Sequence, residues 1–332
     1  MLASRAREAS LQTTVRDQLD AVESALLRVA SADSPMVTEA AQHVIAAGGK
    51  RFRPLLVVLS AQLDPPGSPA ALAAVETDVV RAALVVELTH VASLYHDDVM
   101  DEARLRRGSA SANARWGNSV AILVGDFLFA RASEVVAELG PDYVRLQART
   151  FARLVQGQIA ETVGPNGTDP LEHYLGVVAD KTGSLIAASA EFGGMVAGAP
   201  ADVLAALRAY GEEIGVVFQL SDDIIDIASD ATGKTPGTDL REGVSTLPTL
   251  LARSSTEPAD ERLRGLIAGK IDDPDDLAEA LALMRAHWSL SRARDEVARR
   301  ADVAKGYLAP LPDGDAKQAL LALCDQVVRR SA

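Results

Sequence analysis

Cysteine is almost missing from this chain: Cys324 is the only one among 332 residues. An intrachain disulfide is therefore excluded, which is a weak sign of a reducing compartment. A lone cysteine reads as a small buried apolar residue. Aromatic residues make up only 4% of a chain that is 48% hydrophobic, so the core has to be aliphatic, built from Ala, Leu and Val. Ala and Leu are strong helix formers, and small side chains let helices approach closely. Positive charge is also in deficit. The formal net charge is -13, which argues against a nucleic-acid binder, whose footprint is a basic face. A local basic cluster remains compatible with capture of an anion. No uncharged apolar run reaches the ~18 residues of a membrane span. The start, Met1 to Glu8, has no apolar stretch of the kind a secretory signal needs. The expected location is cytoplasmic, with at most transient contact with a membrane surface.

What is abundant is helical periodicity. Apolar residues recur three and four apart in Val37–Ala47, Leu55–Leu63, Ala70–Met100, Ser119–Leu139, Tyr143–Val163, Leu185–Val196, Val203–Ile227, Leu277–His287 and Ala316–Val328. Alternating strand patterns with hairpin turns are not evident. The breaks are short and rich in Gly and Pro, as at Gly164-Pro165-Asn166-Gly167, and none is long enough to be a linker between domains. The expectation is one all-α domain of about a dozen helices, with the N-terminal stretch to about residue 15 flexible. The longest irregular stretch is Ser229–Pro248, which carries Lys234, Asp239 and Arg241 among several Gly and Pro residues. Long irregular segments in compact domains are often functional.

Two segments echo one another: Ser93-Leu-Tyr-His-Asp-Asp-Val-Met-Asp101 and Phe218-Gln-Leu-Ser-Asp-Asp-Ile-Ile-Asp226. Each ends an apolar helix with Asp-Asp, two apolar residues, then Asp. Positions i and i+4 share a helix face, so Asp97 projects with Asp101 and Asp222 with Asp226. Asp98 and Asp223 sit about 100° round, as outer ligands or a supporting layer. One such motif usually marks a solvated helix end. Two, each behind a strongly apolar helix, are harder to explain that way. If the helices face each other, the carboxylates repel without a cation. Oxygen-only ligation with few carboxylates per ion suits Mg²⁺, which completes its shell with water and phosphate oxygens. The pattern points to a diphosphate bridged by more than one Mg²⁺ ion.

A diphosphate also needs cations. Gly48-Gly49-Lys50-Arg51-Phe52-Arg53-Pro54 supplies three in four residues, and Arg106-Arg107-Gly108 follows the first Asp motif. Alone, a basic cluster after a helix often just complements the helix dipole. Beside a carboxylate motif, arginine forks match phosphate oxygens two at a time. Lys181-Thr182 and Lys234 add further positive points. His90 lies two turns before Asp97 along the same helix face, although a lone His is more often structural.

Taken together, GGKRFRP, HDDVMDEARLRRG, ANARWGNSVAILVGDFLFARA, KTGSL, FQLSDDIID and GKTPGTDLREGVSTLP resemble the trans-isoprenyl diphosphate synthases, or polyprenyl synthetases. The resemblance covers Gly48 to Pro248, with a looser match to the C-terminus. It implies a helical bundle around a central cavity, a homodimer, and Mg²⁺-dependent head-to-tail condensation of isopentenyl diphosphate with an allylic diphosphate such as farnesyl or geranylgeranyl diphosphate. On that resemblance Lys50, Arg53, His90 and Arg107 hold isopentenyl diphosphate. Asp97, Asp101 and Asp222 are the main metal ligands, with Asp98 and Asp226 in support. Arg106, Lys181, Lys234 and Gln219 face the allylic diphosphate, Thr182 and Gln219 flank the developing carbocation, and Ser229–Pro248 is a candidate lid. Two positions depart from the pattern: Val244 stands where many relatives carry Lys, and Tyr95 where an aliphatic residue is commoner. Thr89, Ala92 and Ser93, all small, precede Asp97 by one and two turns where a growing tail would run. One turn rises about 5.4 Å, close to one isoprene unit, so a medium-to-long all-trans product of about C30 or more is expected. The alternatives are a short-chain synthase of the same family, a class I terpene cyclase, or a non-catalytic partner subunit. A cyclase needs no isopentenyl site, and the intact Asp motifs argue against a non-catalytic chain.

Overall fold

The computed structural model describes residues 2–63, 69–228 and 236–331. It is all-α, as expected. In chain order the helices are α1 (Leu2–Val29), α2 (Pro35–Ala46), α3 (Phe52–Ala61), α4 (Pro69–Met100), α5 (Ala112–Trp116), α6 (Asn118–Leu139), α7 (Pro141–Val163) and α8 (Pro170–Val178). They continue with α9 (Ser184–Val196), α10 (Ala201–Ala228), α11 (Thr238–Glu242), α12 (Leu247–Arg253), α13 (Glu261–Leu266), α14 (Pro274–Ala286), α15 (Trp288–Tyr307) and α16 (Asp315–Ser331). A two-stranded hairpin, β1 (Leu105–Arg106) and β2 (Ser109–Ala110), lies between α4 and α5. The chain divides into two compact units: residues 1–152, 185–211 and 310–320 form one, and residues 153–184, 212–309 and 321–332 the other.

The first unit is organised around α4, which packs on α6, α3 and α1. Between Val79 and Tyr95 this helix is buried almost all round, including Ala82, Ala83, Val85, Val86, Leu88, Val91 and Ala92. A helix apolar on every side has to be a core helix. Its neighbours come close because glycine or alanine sits at the crossings. A Cβ on Gly125 of α6 would lie 2.3 Å from the His96 ring and 3.2 Å from the Ala92 carbonyl oxygen. On α9, a Cβ at Gly193 would lie 2.2 Å from the carbonyl oxygen of Val57 in α3. Tyr95, unexplained by the sequence, is fully buried, and its hydroxyl donates to the carbonyls of Ala40 (2.5 Å) and Ala41 (3.3 Å). It pins α2 onto α4, a role an aliphatic residue could not fill.

In the second unit the C-terminal half of α10 buries Ile214, Val217, Leu220 and Ile224. Helix starts are fixed by side-chain caps. Asp169 accepts from the backbone of Leu171 and Glu172 at α8, and Asp273 accepts from Asp275 and Asp276 at α14. Each cap satisfies amides that the first helical turn leaves unpaired.

Several expectations need amending. The irregular stretch Ser229–Pro248 contains a short helix, α11, bracketed by Gly237 (φ 76°) and Gly243 (φ 72°), whose left-handed backbone starts and stops it. Residues 229–235, including Lys234, lie outside the described residues. The N-terminal stretch belongs to α1, which begins at Leu2. The buried stripe of α15, Leu290, Ala293, Val297, Ala301 and Ala304, repeats at helical spacing, but alanines among charges give a weak signal.

Candidate active site

In the first unit, α4 delivers the first carboxylate motif. Asp97 is half-buried and Asp101 exposed, and the Asp101 amide donates to the Asp97 carbonyl (2.8 Å), which carries the helical turn past Met100. The pair therefore shares one face, as the spacing requires. Asp98 is fully buried and bound by the Arg106 guanidinium (2.5 and 2.7 Å), leaving its Oδ2 without a partner among the described residues. Burial pushes the Asp98 carboxyl up, and Arg106 opposes that shift. Arg106 is thus placed beside the carboxylate motif, as the sequence suggested, with Asp98 holding it there.

The hairpin places the next cation by backbone geometry. Arg107 (φ 53°) and Gly108 (φ 79°) form its two-residue turn, and two successive positive φ angles are what a tight hairpin demands. A non-glycine residue resists that conformation. Here the Arg107 side chain is anchored, donating to the carbonyls of Val44 (2.9 Å) and Gly48. Gly49 leaves the room: a Cβ there would stand 3.1 Å from the Arg107 guanidinium and 3.0 Å from that of Arg51. Arg51 is itself left-handed (φ 45°) at the start of α3. It forks onto Glu23 of α1 (2.6 and 2.7 Å) and bonds Glu87 of α4 (2.9 Å).

Arg53 and His90 complete this group. The Nε of Arg53 is buried and unpartnered, and burial pulls its guanidinium down to about 10, with Glu87 working against the shift and Arg107 with it. Burial and the neighbouring arginines, Arg53, Arg107, Arg106 and Arg51, hold the His90 imidazole well below 6.5. His90 is therefore neutral. The structure brings Arg53, His90, Arg106 and Arg107 into one electrostatic group; Lys50 is exposed on the preceding loop. The small residues on α4 separate by angle. At about 100° per residue, Ser93 lies about 40° and Thr89 about 80° from the Asp97 direction, while Ala92 lies about 140° away. Ala92 is fully buried, and its carbonyl oxygen lies at the α6 crossing, 3.2 Å from a Cβ built on Gly125.

In the second unit the second motif is set on α10. Asp222 pairs with Arg330 of α16, whose guanidinium also lies over the Phe218 ring (5.1 Å). The Asp226 carboxylate accepts from the amides of Thr238 (3.3 Å) and Asp239 (3.1 Å) at the start of α11. Asp223 is buried; it accepts from the Tyr174 hydroxyl and from Gln219 Nε2 (3.0 Å). Burial pushes Asp223 up to about 7, against those two hydrogen bonds. Gln219 turns its amide nitrogen towards Asp223 and its oxygen away. That oxygen accepts from the Thr182 hydroxyl (3.3 Å). Lys181 and Thr182 sit on a π-helical turn, Ala179–Gly183, a distortion frequent at functional positions. Lys181 is paired with Glu161 (2.5 Å).

Among the described residues no three Asp, Glu, His or Cys side chains converge to hold a metal unaided. The donors are carboxylate oxygens in i, i+4 pairs, with a further buried oxygen on Asp98 lacking a partner. That set fits a hard divalent cation that draws its other ligands from water and substrate. Sequence reasoning missed Glu23, Glu87, Tyr174 and Arg330. Glu87 had a signal: it is the only acidic or basic residue in the run from Ala82 to Tyr95 apart from His90. The others had none, since their partners lie far along the chain.

An all-α chain with two Asp-rich helix ends and an arginine group is built for diphosphate chemistry. The chain belongs to the polyprenyl synthetase family, whose model matches residues 34–284. It is 49% identical over 326 residues to nonaprenyl diphosphate synthase of Mycobacterium tuberculosis, covering 94% of this chain and 95% of the relative. It is 32% identical to octaprenyl diphosphate synthase of Escherichia coli, covering 93% and 94%. Among solved structures, polyprenyl synthase from Caulobacter crescentus complexed with calcium and isoprenyl diphosphate superimposes with a TM-score of 0.88 at 34% identity, covering 98% of each chain. Geranylgeranyl pyrophosphate synthase from Corynebacterium glutamicum, in a complex of the same kind, gives 0.84 at 43% identity, covering 97% and 98%. The chain is a prenyltransferase, a polyprenyl diphosphate synthase.

Proposed function

We propose that the chain condenses isopentenyl diphosphate head-to-tail with an allylic diphosphate, farnesyl or geranylgeranyl, using Mg²⁺, and releases a medium-to-long all-trans prenyl diphosphate. The observation that carries this reading is the arginine group around neutral His90, in which Arg53 and Arg107 lie beyond the Arg106–Asp98 pair and support a second anion site beside the carboxylate motif. A cyclase has no use for it. Calcium and isoprenyl diphosphate in the two solved relatives support a divalent metal. The matched stretch takes in residues of both units, which supports one catalytic domain. We further propose a cytoplasmic homodimer. Exposed Ile122 and Leu123 on α6 support a self-association face, and no helix among the described residues is long and apolar enough to cross a membrane.

In this reading Asp97, Asp101 and Asp222 ligate the metal, with Asp98 and Asp226 in support. Mg²⁺ held by these carboxylates would supply Lewis-acid stabilisation of the leaving diphosphate. Arg106, Lys181 and Lys234 face that diphosphate and stabilise its growing charge. Lys50, Arg53 and Arg107 hold the diphosphate of isopentenyl diphosphate, and His90 donates a hydrogen bond to it without adding charge. Fixing the double bond beside the electrophilic carbon supplies much of the rate. The Gln219 carbonyl oxygen and the Thr182 hydroxyl turn partial negative charge towards the developing cation. The proton lost from the new chain passes to the released diphosphate. Ser93 and Thr89, on the Asp97 side of α4, leave room for the tail.

Purified chain incubated with labelled isopentenyl diphosphate and each allylic starter, in Mg²⁺ or EDTA, tests the proposal. Mg²⁺-dependent elongation to long chains is expected. Release of cyclic hydrocarbon from the allylic substrate alone would overturn the reaction class. A sharp stop at a short chain would overturn the length.

A further inference from the structure

Glu87 is an acid where none is expected. It sits 2% exposed in the apolar middle of α4, where an unpaired carboxylate would be costly. Its direct partner is the Arg51 Nη1 (2.9 Å). Arg51, however, is already forked by Glu23 and does not need a second carboxylate for neutrality. The charge of Glu87 reaches further. It is the largest attractive influence on both Arg53 and Arg107. Those two guanidinia repel one another, and the Nε of Arg53 is buried without a partner. The Arg106 charge is matched by Asp98. Glu87 is therefore the counter-charge of Arg53 and the leading one of Arg107, for which the more distant Glu23 comes second. His90, one turn further along α4, is neutral and contributes nothing to the balance.

We infer that Glu87 is a built-in counter-ion that holds the Arg51, Arg53 and Arg107 set together while no diphosphate is bound, and that it limits how tightly that set binds an anion. The inference rests on the proposed reading of this set as the isopentenyl diphosphate site. A diphosphate entering the site brings the negative charge the arginines lack, so it takes over the task of Glu87. Two opposite consequences follow for Glu87→Gln. Gln can still bond Arg51, so the contact survives while the charge goes. The empty variant loses stability because three guanidinia are left with Glu23 alone. The anion-bound variant gains affinity because the diphosphate no longer competes with a buried carboxylate.

The test is thermal unfolding of the full chain in EDTA, titrated with inorganic pyrophosphate, for wild type, Glu87→Gln, Glu87→Asp and Glu23→Gln. EDTA keeps the carboxylate motifs from taking the probe through a metal. Glu87→Gln is expected to melt lower without pyrophosphate and to bind it about tenfold more tightly, the order expected for removing one charge about 10 Å from an anion at an effective dielectric near 20. Glu87→Asp keeps the charge and should match the wild-type affinity, which also covers the case in which the Gln variant does not fold. Glu23→Gln removes a half-exposed partner of Arg51 and the smaller influence on Arg107, so it should lower the melting point and tighten the anion less than Glu87→Gln does. Equal pyrophosphate affinity in Glu87→Gln and wild type would overturn the inference, as would tightening in Glu87→Asp. A wild type that does not respond to pyrophosphate, or responds equally when Arg53 is changed to Gln, would instead overturn the reading of the site.

Discussion

His90 makes a prediction whose sign and size both follow from its surroundings. Burial raises the cost of a charged imidazole, and Arg53 of α3, Arg107 and Arg106 of the hairpin, and Arg51 before α3 add to it. Glu87, on the same helix, is the nearby acid, and it is engaged by the arginines. In the unfolded chain the imidazole titrates near 6.5; in the folded chain it titrates well below that. Between the two values the unfolded state binds more protons, so stability is lost as pH falls through the unfolded value and is complete above it. For one such group the slope approaches about 1.4 kcal/mol per pH unit, so a loss on the order of 1 kcal/mol is expected between about pH 8 and pH 5.5. His90→Gln keeps a polar side chain and removes the titration. Urea unfolding of both proteins across that range should show the wild type losing its advantage over the variant by this amount as the pH falls. The chain has only five histidines, so the His90 imidazole resonance is assigned by its loss in the variant, and it should not titrate near neutrality. A stability difference independent of pH, or a resonance moving at the ordinary histidine value, would refute the argument that burial and the arginines keep His90 neutral.

Four other outcomes are expected. Gly49→Ala should raise the KM for isopentenyl diphosphate several-fold with little change in kcat, because the new methyl meets the Arg51 and Arg107 guanidinia at 3.0 and 3.1 Å; steady-state kinetics with each substrate varied decides it. Gly193→Ala should destabilise the fold by about 1–3 kcal/mol in chemical denaturation, since its Cβ meets backbone that has to move. Tyr95→Phe should cost about 1 kcal/mol by the same measurement, the usual net worth of a buried hydrogen bond, and should weaken isopentenyl diphosphate binding because α2 carries the Val44 carbonyl that holds Arg107. Ser93→Phe should shorten the product, whereas Ala92→Phe should chiefly lower stability by forcing α4 from α6; product sizing beside thermal melts separates the two.

The Ala92 case marks where the sequence stops being legible. Apolar spacing located nine helices and both carboxylate pairs, because i, i+4 geometry is local and each motif carries its own neighbours. The same spacing treats Thr89, Ala92 and Ser93 alike as small residues before Asp97. Which of them faces a tail and which faces another helix depends on Gly125, whose place on α6 is known only once the helices pack. The cations behave likewise. Lys50, Arg51 and Arg53 look interchangeable in GGKRFRP, yet Arg51 is consumed by Glu23 and Glu87 while Arg53 keeps a buried nitrogen unpaired. Charge type is written locally, but whether a charge is available to a ligand depends on which distant carboxylate has already claimed it. The same holds in the second unit: Asp222 and Asp223 are adjacent in sequence, yet one meets Arg330 and the other Tyr174. A single turn of α10 thereby presents one carboxylate towards a cation and buries the other as the acceptor that orients Gln219. That division of labour is set by residues 49 positions before and 108 after the motif, out of reach of any pattern read along the chain.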